Sequence, residues 1–291
     1  MISALFVSLR PKQWSKNLLV FAGLVFSRNL FDPVNFLRSL AGFFAFCLLS
    51  GAVYIINDLV DAESDRLHPL KRFRPIASGR LKPGAAKVAA VVAAGLALAG
   101  GWALDWRFGV IGLGYFLMQL AYSFKLKQMV VLDVMTVAAG FALRAVAGTV
   151  LVHVTISSWL FVCTILGALF IALAKRRHEL LFLESGGAAH RAVLEKYSEA
   201  LLDQMMAVAT SATVIAYCLY TIAPETVAKF GTHNLMLTVP FMLYGVYRYL
   251  YLVYRKEMGG APEKALLTDV PLIIDVVLWM ATVVAVLYLK F

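Results

Sequence analysis

The chain has 291 residues, of which 61% are hydrophobic and only 15% charged, and its mean hydropathy is +0.79. A water-soluble globule is nearer half apolar and a quarter charged, so that class is excluded and lipid is the main solvent. Lys and Arg number 27 against 17 Asp and Glu; in a membrane protein this excess belongs to cytoplasmic loops, and no nucleic-acid partner is expected.

Apolar runs fall near 17–34, 36–57, 85–104, 108–124, 129–152, 157–175, 203–223, 235–254 and 270–290. Inside hydrocarbon each backbone amide must be paired within its own segment, and runs of this length without strand alternation predict helices. The expectation is an all-α polytopic membrane protein, with nine transmembrane helices in one domain covering 1–291. Arg10, Lys12 and Lys16 precede the first run. No small-residue cleavage site follows it, so it reads as a retained span rather than a signal peptide. Lys12, Lys16 and Asn17 open that helix, where the N-terminus favours anions; they suit phosphate contact and interface anchoring equally.

The second run ends in Asn57-Asp58-Leu59-Val60-Asp61-Ala62-Glu63-Ser64-Asp65. On a helix Asn57, Asp61 and Asp65 are four apart and Asp58 lies three before Asp61, so all four share one face. Stacked carboxylates at a membrane boundary persist with a cation between them, and hard oxygen ligands suit Mg²⁺. Magnesium fills the rest of its shell with water and phosphate oxygens, so the cluster implies a phosphorylated ligand. Basic residues follow at once: Arg66, Lys71, Arg72, Arg74 and Arg80. Acidic face and basic loop together make a phosphate clamp. His68, before a proline, reads as a loop residue.

Further along, Tyr122, Lys125 and Lys127 end the fourth run, and Asp133 and Arg144 are eleven residues apart on one face of the fifth. Arg144, the deeper, should face the protein interior and a partner, in a structural or a substrate role. The sixth run ends in Lys175-Arg176-Arg177-His178-Glu179, and Tyr244, Tyr247, Tyr249, Tyr251 and Tyr254 suggest an interfacial belt. Cys47, Cys163 and Cys218 stand alone in apolar runs and read as small core residues. Gly95, Gly100 and Gly101 suit internal packing or subunit contact, which leaves a homo-oligomer open. Three connections are long and polar, near 58–84, 176–202 and 255–269. Alternate connections hold most basic residues, Arg191 among them, and the opposite set only Arg28, Arg38, Arg107, Lys229 and Lys290. The N-terminus is therefore expected in the cytoplasm and the C-terminus outside.

The stretch Asn57-Asp58-x-x-Asp61-x-x-x-Asp65, then His68-Pro69-x-Lys71-x-x-Arg74-Pro75-Ile76-Ala77-x-Gly79, closely resembles the UbiA-type intramembrane prenyltransferases. That resemblance implies nine transmembrane helices around a cytoplasm-facing polar cavity in a bacterial inner membrane. Other stretches are similar to the decaprenyl-phosphate phosphoribosyltransferase branch: Leu9-Arg10-Pro11-Lys12-Gln13-Trp14-Ser15-Lys16-Asn17, Tyr122-Ser123-x-x-Leu126-Lys127, Leu132-Asp133-Val134, Gly140-Phe141-x-Leu143-Arg144-Ala145 and Lys175-Arg176-Arg177-x-Glu179. Typical prenyl-transferring members resemble one another in a second aspartate-rich motif at the end of the sixth helix. This chain has Lys175, Arg176 and Arg177 there.

The reversal favours a substrate set with more phosphate than one prenyl diphosphate. Phosphoribosyl pyrophosphate fits, with Mg²⁺ and the acidic face on its diphosphate and a basic group on its 5-phosphate; a polyprenyl phosphate is the acceptor. Asp58, Asp61 and Asp65 are expected to carry the chemistry, and with Asn57 to hold the metal. Lys16, Asn17, Asn57, Arg66, Lys71, Arg72, Arg74, Tyr122, Lys125, Lys127, Lys175, Arg176 and Arg177 are expected on the substrates. Two alternatives stand: a prenyltransferase using a prenyl diphosphate and an aromatic acceptor, and a non-catalytic lipid-phosphate carrier.

Overall fold

The structure is a computed structural model that describes residues 2–184 and 193–289; Arg191 and Lys290 lie outside the described residues. Among the described residues every regular element is helical. Among the described residues seven helices are long and apolar enough to cross a bilayer: Pro33–Val60, Pro83–Leu104, Leu132–Leu151, Ser158–Phe182, Glu199–Ile222, Asn234–Arg255 and Val270–Tyr288. The chain divides into two compact units, Met1–Thr155 with Gly186–Lys196, and Ile156–Ser185 with Tyr197–Phe291.

The first unit opens with α1 (Ile2–Ser8), a 3₁₀ helix (Pro11–Phe21) and α2 (Ala22–Val25). The first apolar run was expected over 17–34, but its helix ends at Val25. Arg28 is left-handed at φ 61°, a conformation L side chains disfavour. Asp32 then caps α3 (Pro33–Val60), accepting from the Asn35 amide at 2.9 Å, with Pro33 in the first turn. After α4 (Ala62–Leu67) come α5 (Pro83–Leu104), α6 (Trp106–Phe124) and α7 (Leu132–Leu151).

Small residues let these helices approach. Ala93, Ala94 and Ala97 of α5 share a core with Phe46, Leu49 and Val53 of α3, and Phe46 meets Phe108 and Tyr115 of α6 edge-on at 5.5 and 5.4 Å. At Gly148 of α7 a Cβ would come within 1.9 Å of the Val20 carbonyl oxygen, so the 3₁₀ helix lies directly on α7. Gly101 packs on Phe108, whereas Gly95 and Gly100 have open space beside them.

The second unit comprises α8 (Ser158–Glu184), α9 (Glu199–Ile222), α10 (Pro224–Phe230), α11 (Val239–Arg255), α12 (Pro262–Thr268) and α13 (Val270–Tyr288). The sixth run was expected to end at 175, but α8 continues to Glu184, so the basic cluster lies inside a helix rather than beyond its end. The expected tyrosine belt is split: Tyr249 is buried against Phe170, while Tyr244, Tyr247 and Tyr251 are exposed.

Candidate active site

Asn57 and Asp58 occupy the last turn of α3, which stops at Val60 and gives way to α4 through Asp61. The four-residue face divides into two pairs. Asp61 accepts from Asn57 Nδ2 at 3.0 Å and, through its other oxygen, from Lys127 Nζ at 2.6 Å. Asp58 and Asp65 converge on one nitrogen, Arg74 Nη1, at 3.1 and 2.5 Å. Both carboxylates are buried, with side chains 3% and 4% exposed.

Arg74 reaches them because its loop is nailed down by apolar residues. Ile76 and Leu81 join Ile55 of α3 and Ala86 and Ala90 of α5 in a buried cluster. Turn bonds from Ser78 N to Arg74 O and from Leu81 N to Pro75 O fix the path between, and Gly79 takes the left-handed φ of 76° that the turn needs. His68 Nδ1 accepts from the Leu70 and Lys71 amides at 3.1 and 3.3 Å, so this histidine shapes the loop, as expected. Lys127 lies in the short turn between α6 and α7.

Arg10 was not among the candidate contacts, yet its guanidinium pairs with Asp58 and lies 4.8 Å from the Tyr54 ring centroid. It precedes the 3₁₀ helix in a left-handed conformation, φ 52°. Its place in the Leu9–Asn17 stretch was the available signal; its partner, 48 residues away, was not readable. Lys16, Lys71 and Tyr122 are half-buried, and Arg66, Arg72 and Lys125 are exposed. Arg66 Nε donates to Ala77 O at 3.4 Å and Arg72 lies over the Phe73 ring, so neither is on the carboxylates. Asn17 is turned inward and buried, bonded to Arg144.

In the second unit Arg177 Nε donates to Asp203 Oδ1 at 2.6 Å, and the guanidinium also pairs with Glu199 and lies over the Tyr254 ring at 4.3 Å. Tyr254 donates its hydroxyl to Asp203 at 2.8 Å. Arg176 pairs with Glu179 one turn on, and Lys175 is half-buried. The cationic stretch of α8 thus has carboxylates of its own, of which sequence reasoning missed Glu199 and Asp203 because they were read as loop and apolar run. Gly259 and Gly260 let the α11–α12 connection lie on this part of α8: a Cβ on Gly259 would come within 2.8 Å of Ala174 O, and one on Gly260 within 2.2 Å of the His178 ring.

The donor set fits magnesium in its usual form. Among the described residues no three His, Cys, Asp or Glu side chains close around one point. Magnesium takes one or two protein carboxylates and completes its octahedron with water and phosphate oxygens, and two acids converging on one cation, Asp58 and Asp65, offer that arrangement.

Residues 17–268 match the UbiA prenyltransferase family. The decaprenyl-phosphate phosphoribosyltransferase of Mycobacterium tuberculosis strain H37Rv is 34% identical over 287 residues, covering 97% of this chain and 94% of its own. The Corynebacterium glutamicum protein of the same name is 35% identical over 97% of this chain and 86% of its own. The solved UbiA homolog from Archaeoglobus fulgidus bound to GPP and Mg²⁺ superposes with a TM-score of 0.76 at 19% identity, over 98% of this chain and 99% of that one. The match over most of its length, with full-length relatives above 30% identity, places this chain in the UbiA prenyltransferase family.

Proposed function

We propose that this protein transfers the 5-phosphoribosyl group from phosphoribosyl pyrophosphate to a polyprenyl phosphate such as decaprenyl phosphate, releasing pyrophosphate. The observation that carries the reading is the pairing of buried Asp58 and Asp65 with Arg10 and Arg74 at the end of α3, a site with both the anionic oxygens for a metal and the cations for phosphate. Near-full-length likeness to proteins named decaprenyl-phosphate phosphoribosyltransferase supplies the substrate class.

Asp58 and Asp65 would hold Mg²⁺, with Asn57 and Asp61 beside them. Bound there, the ion takes up charge on the departing diphosphate. In this reading Arg10, Arg74 and Lys127 shift from carboxylate to phosphate oxygens when the substrates bind, and Lys16, Lys71, Tyr122, Arg66, Arg72 and Lys125 are proposed as further substrate contacts. The nucleophile is an oxygen of the lipid phosphate, already ionised, so no strong general base is needed. Its bond to the anomeric carbon forms as the carbon–oxygen bond to pyrophosphate breaks, and in-line attack inverts that carbon. The carboxylates favour the positive charge that develops on the ribose ring. The product is a pentosyl phospholipid of the kind that supplies arabinose to cell-wall arabinan. Lys175, Arg176 and Arg177 are proposed for the 5-phosphate.

We read both compact units as one integral domain of a bacterial inner membrane, since one family match spans them. The proposed count is nine crossings, with N-terminus and active site cytoplasmic and C-terminus outside. Two segments add to the seven long spans. Eleven residues of 3₁₀ helix at ~2.0 Å each and four of α2 at ~1.5 Å reach ~28 Å. The 19 residues of α6 reach the same length, close to a bilayer core of ~30 Å.

One observation favours the prenyl-diphosphate alternative: Glu179, Glu199 and Asp203 gather around Arg176 and Arg177. A donor swap decides. Purified protein in detergent with Mg²⁺, phosphoribosyl pyrophosphate and decaprenyl phosphate is expected to release pyrophosphate and form a phosphoribosylated lipid. No product from that mixture, alongside turnover of a prenyl diphosphate with an aromatic acceptor, rejects the reading.

A further inference from the structure

Arg144 is 5% exposed in the middle of a membrane-spanning helix, where an arginine is expensive unless its donors are met. Nε donates to Asn17 Oδ1, Nη1 to the Gly140 carbonyl and Nη2 to the Tyr115 hydroxyl, each at 2.7 Å. The rings of Tyr115, Phe141 and Phe46 surround the guanidinium at 4.7, 5.6 and 6.0 Å. The other half of the Asn17 amide is also engaged: Nδ2 donates to Ser50 Oγ and Cys47 Sγ of α3, both at 3.3 Å. One buried amide thus ties the 3₁₀ helix to α7 on one side and to α3 on the other.

The 3₁₀ helix runs eleven residues, where such runs rarely exceed three or four. From Asn17 back to Arg10 is seven residues, ~14 Å at the 3₁₀ rise of ~2.0 Å per residue. From Ser50 on to Asp58 is eight residues, ~12 Å at the α-helical rise of ~1.5 Å. The two antiparallel paths keep step, and Arg10 arrives at Asp58. An ordinary α-helix over Arg10–Asn17 would cover only ~10.5 Å and draw Arg10 back about 3.5 Å from the place the 3₁₀ form gives it.

We propose that Asn17 and Arg144 are positioning residues, a register clamp that holds the N-terminal helix in its stretched form and so delivers Arg10 to Asp58, rather than groups that touch substrate. The clamp deepens the functional reading above and rests on it only for the kinetic readout.

The test uses Asn17→Ala and Asn17→Asp in full-length protein with Cys163 and Cys218 replaced by Ala, leaving Cys47 as reporter. Asn17→Ala is expected to raise Cys47 labelling by a small maleimide, and to raise the apparent KM for phosphoribosyl pyrophosphate about tenfold with kcat nearly unchanged. Asn17→Asp keeps one oxygen on Arg144 and offers a second that can accept from the Ser50 hydroxyl or the Cys47 thiol in place of the lost amide donor, so Cys47 protection and KM should both return to within about threefold of the parent. If the clamp works through Arg10, Arg10→Gln and Asn17→Ala are non-additive: the double variant is no worse than Arg10→Gln alone.

Additive effects would overturn the clamp, as would an unchanged KM in Asn17→Ala. A crippled Asn17→Asp with protected Cys47 would show that Asn17 meets an anion directly, which also overturns it. If the parent transfers no phosphoribosyl group, the functional reading fails by itself. Cys47 labelling then judges the clamp alone, with equal labelling in all variants counting against it.

Discussion

Asp61 shows how much one side chain settles at the end of α3. Its two oxygens are divided between Asn57 and Lys127, and Lys127 is only 12% exposed. Asp61→Asn keeps the shape but leaves a nearly buried ammonium without its anion, and removes charge beside the pair proposed to hold the metal. Turnover is expected to fall by about tenfold to a hundredfold with helical circular dichroism unchanged; near-normal turnover would remove Asp61 from the site. Asp269 presents a different case. Arg248 donates to both of its oxygens at 2.9 and 2.8 Å, and it accepts from the Leu272 amide to cap α13. The Arg248 bond holds this carboxyl below its usual range against the opposing effect of burial. The stabilisation is therefore complete above the ordinary carboxylate pKa of ~4 and is lost as pH falls through the lowered value. Asp269→Asn should melt a few degrees below the parent at pH 7, about 1 kcal/mol, and the two should converge once the parent's acid is protonated. The aspartates at and just beyond the end of α3 stood out in the sequence because helix spacing puts them on one face, although the break at Asp61 parts that face into two pairs. Arg10, Glu199 and Asp203 were not, because their partners lie far off in sequence and no local period connects them.

At the scale of elements, glycines separate the helices that must touch from those that need not. A Cβ at Gly148 would lie 1.9 Å from the Val20 carbonyl, and one at Gly23 within 2.8 Å of the Thr149 backbone, so neither contact can yield by a rotamer change. Gly148→Ala should destabilise the protein by about 1–3 kcal/mol and displace the 3₁₀ helix. Gly95→Ala, into open space on α5, should be neutral or stabilise by up to ~1 kcal/mol. Thermal melting in one detergent measures both, and equal effects would show that this packing is not as described. Sequence placed these helices well where apolar runs were long. It misplaced the first, because a 3₁₀ helix carrying Lys12, Lys16 and Asn17 does not look like a span, while the chain that follows it is turned aside at Arg28.

At the scale of the molecule, the charge pattern makes a topological prediction that can be checked without activity. In the first unit, Arg10, the Asp58–Asp65 cluster, the 66–82 loop and Lys127 are linked by direct contacts at one end of α3, whereas Arg38 meets His153 at the other end. Single cysteines at positions 72 and 125 should react with an impermeant thiol reagent only in inside-out vesicles, and cysteines at 29 and 106 only in intact cells. Labelling of 29 and 72 from the same side would undo the nine-crossing reading. The all-helical class was legible from the length of the apolar runs and their lack of strand alternation, because hydrocarbon leaves the backbone few other solutions. The pairing of cations with acids was not, since it depends on how the 71–81 loop folds back over α3. That fold-back has a consequence of its own. Two acids share a single guanidinium nitrogen, so under the proposed function Asp58 and Asp65 would have to release Arg74 in order to hold a divalent ion, and Arg74, tethered by its loop, would stay beside the anion that accompanies it.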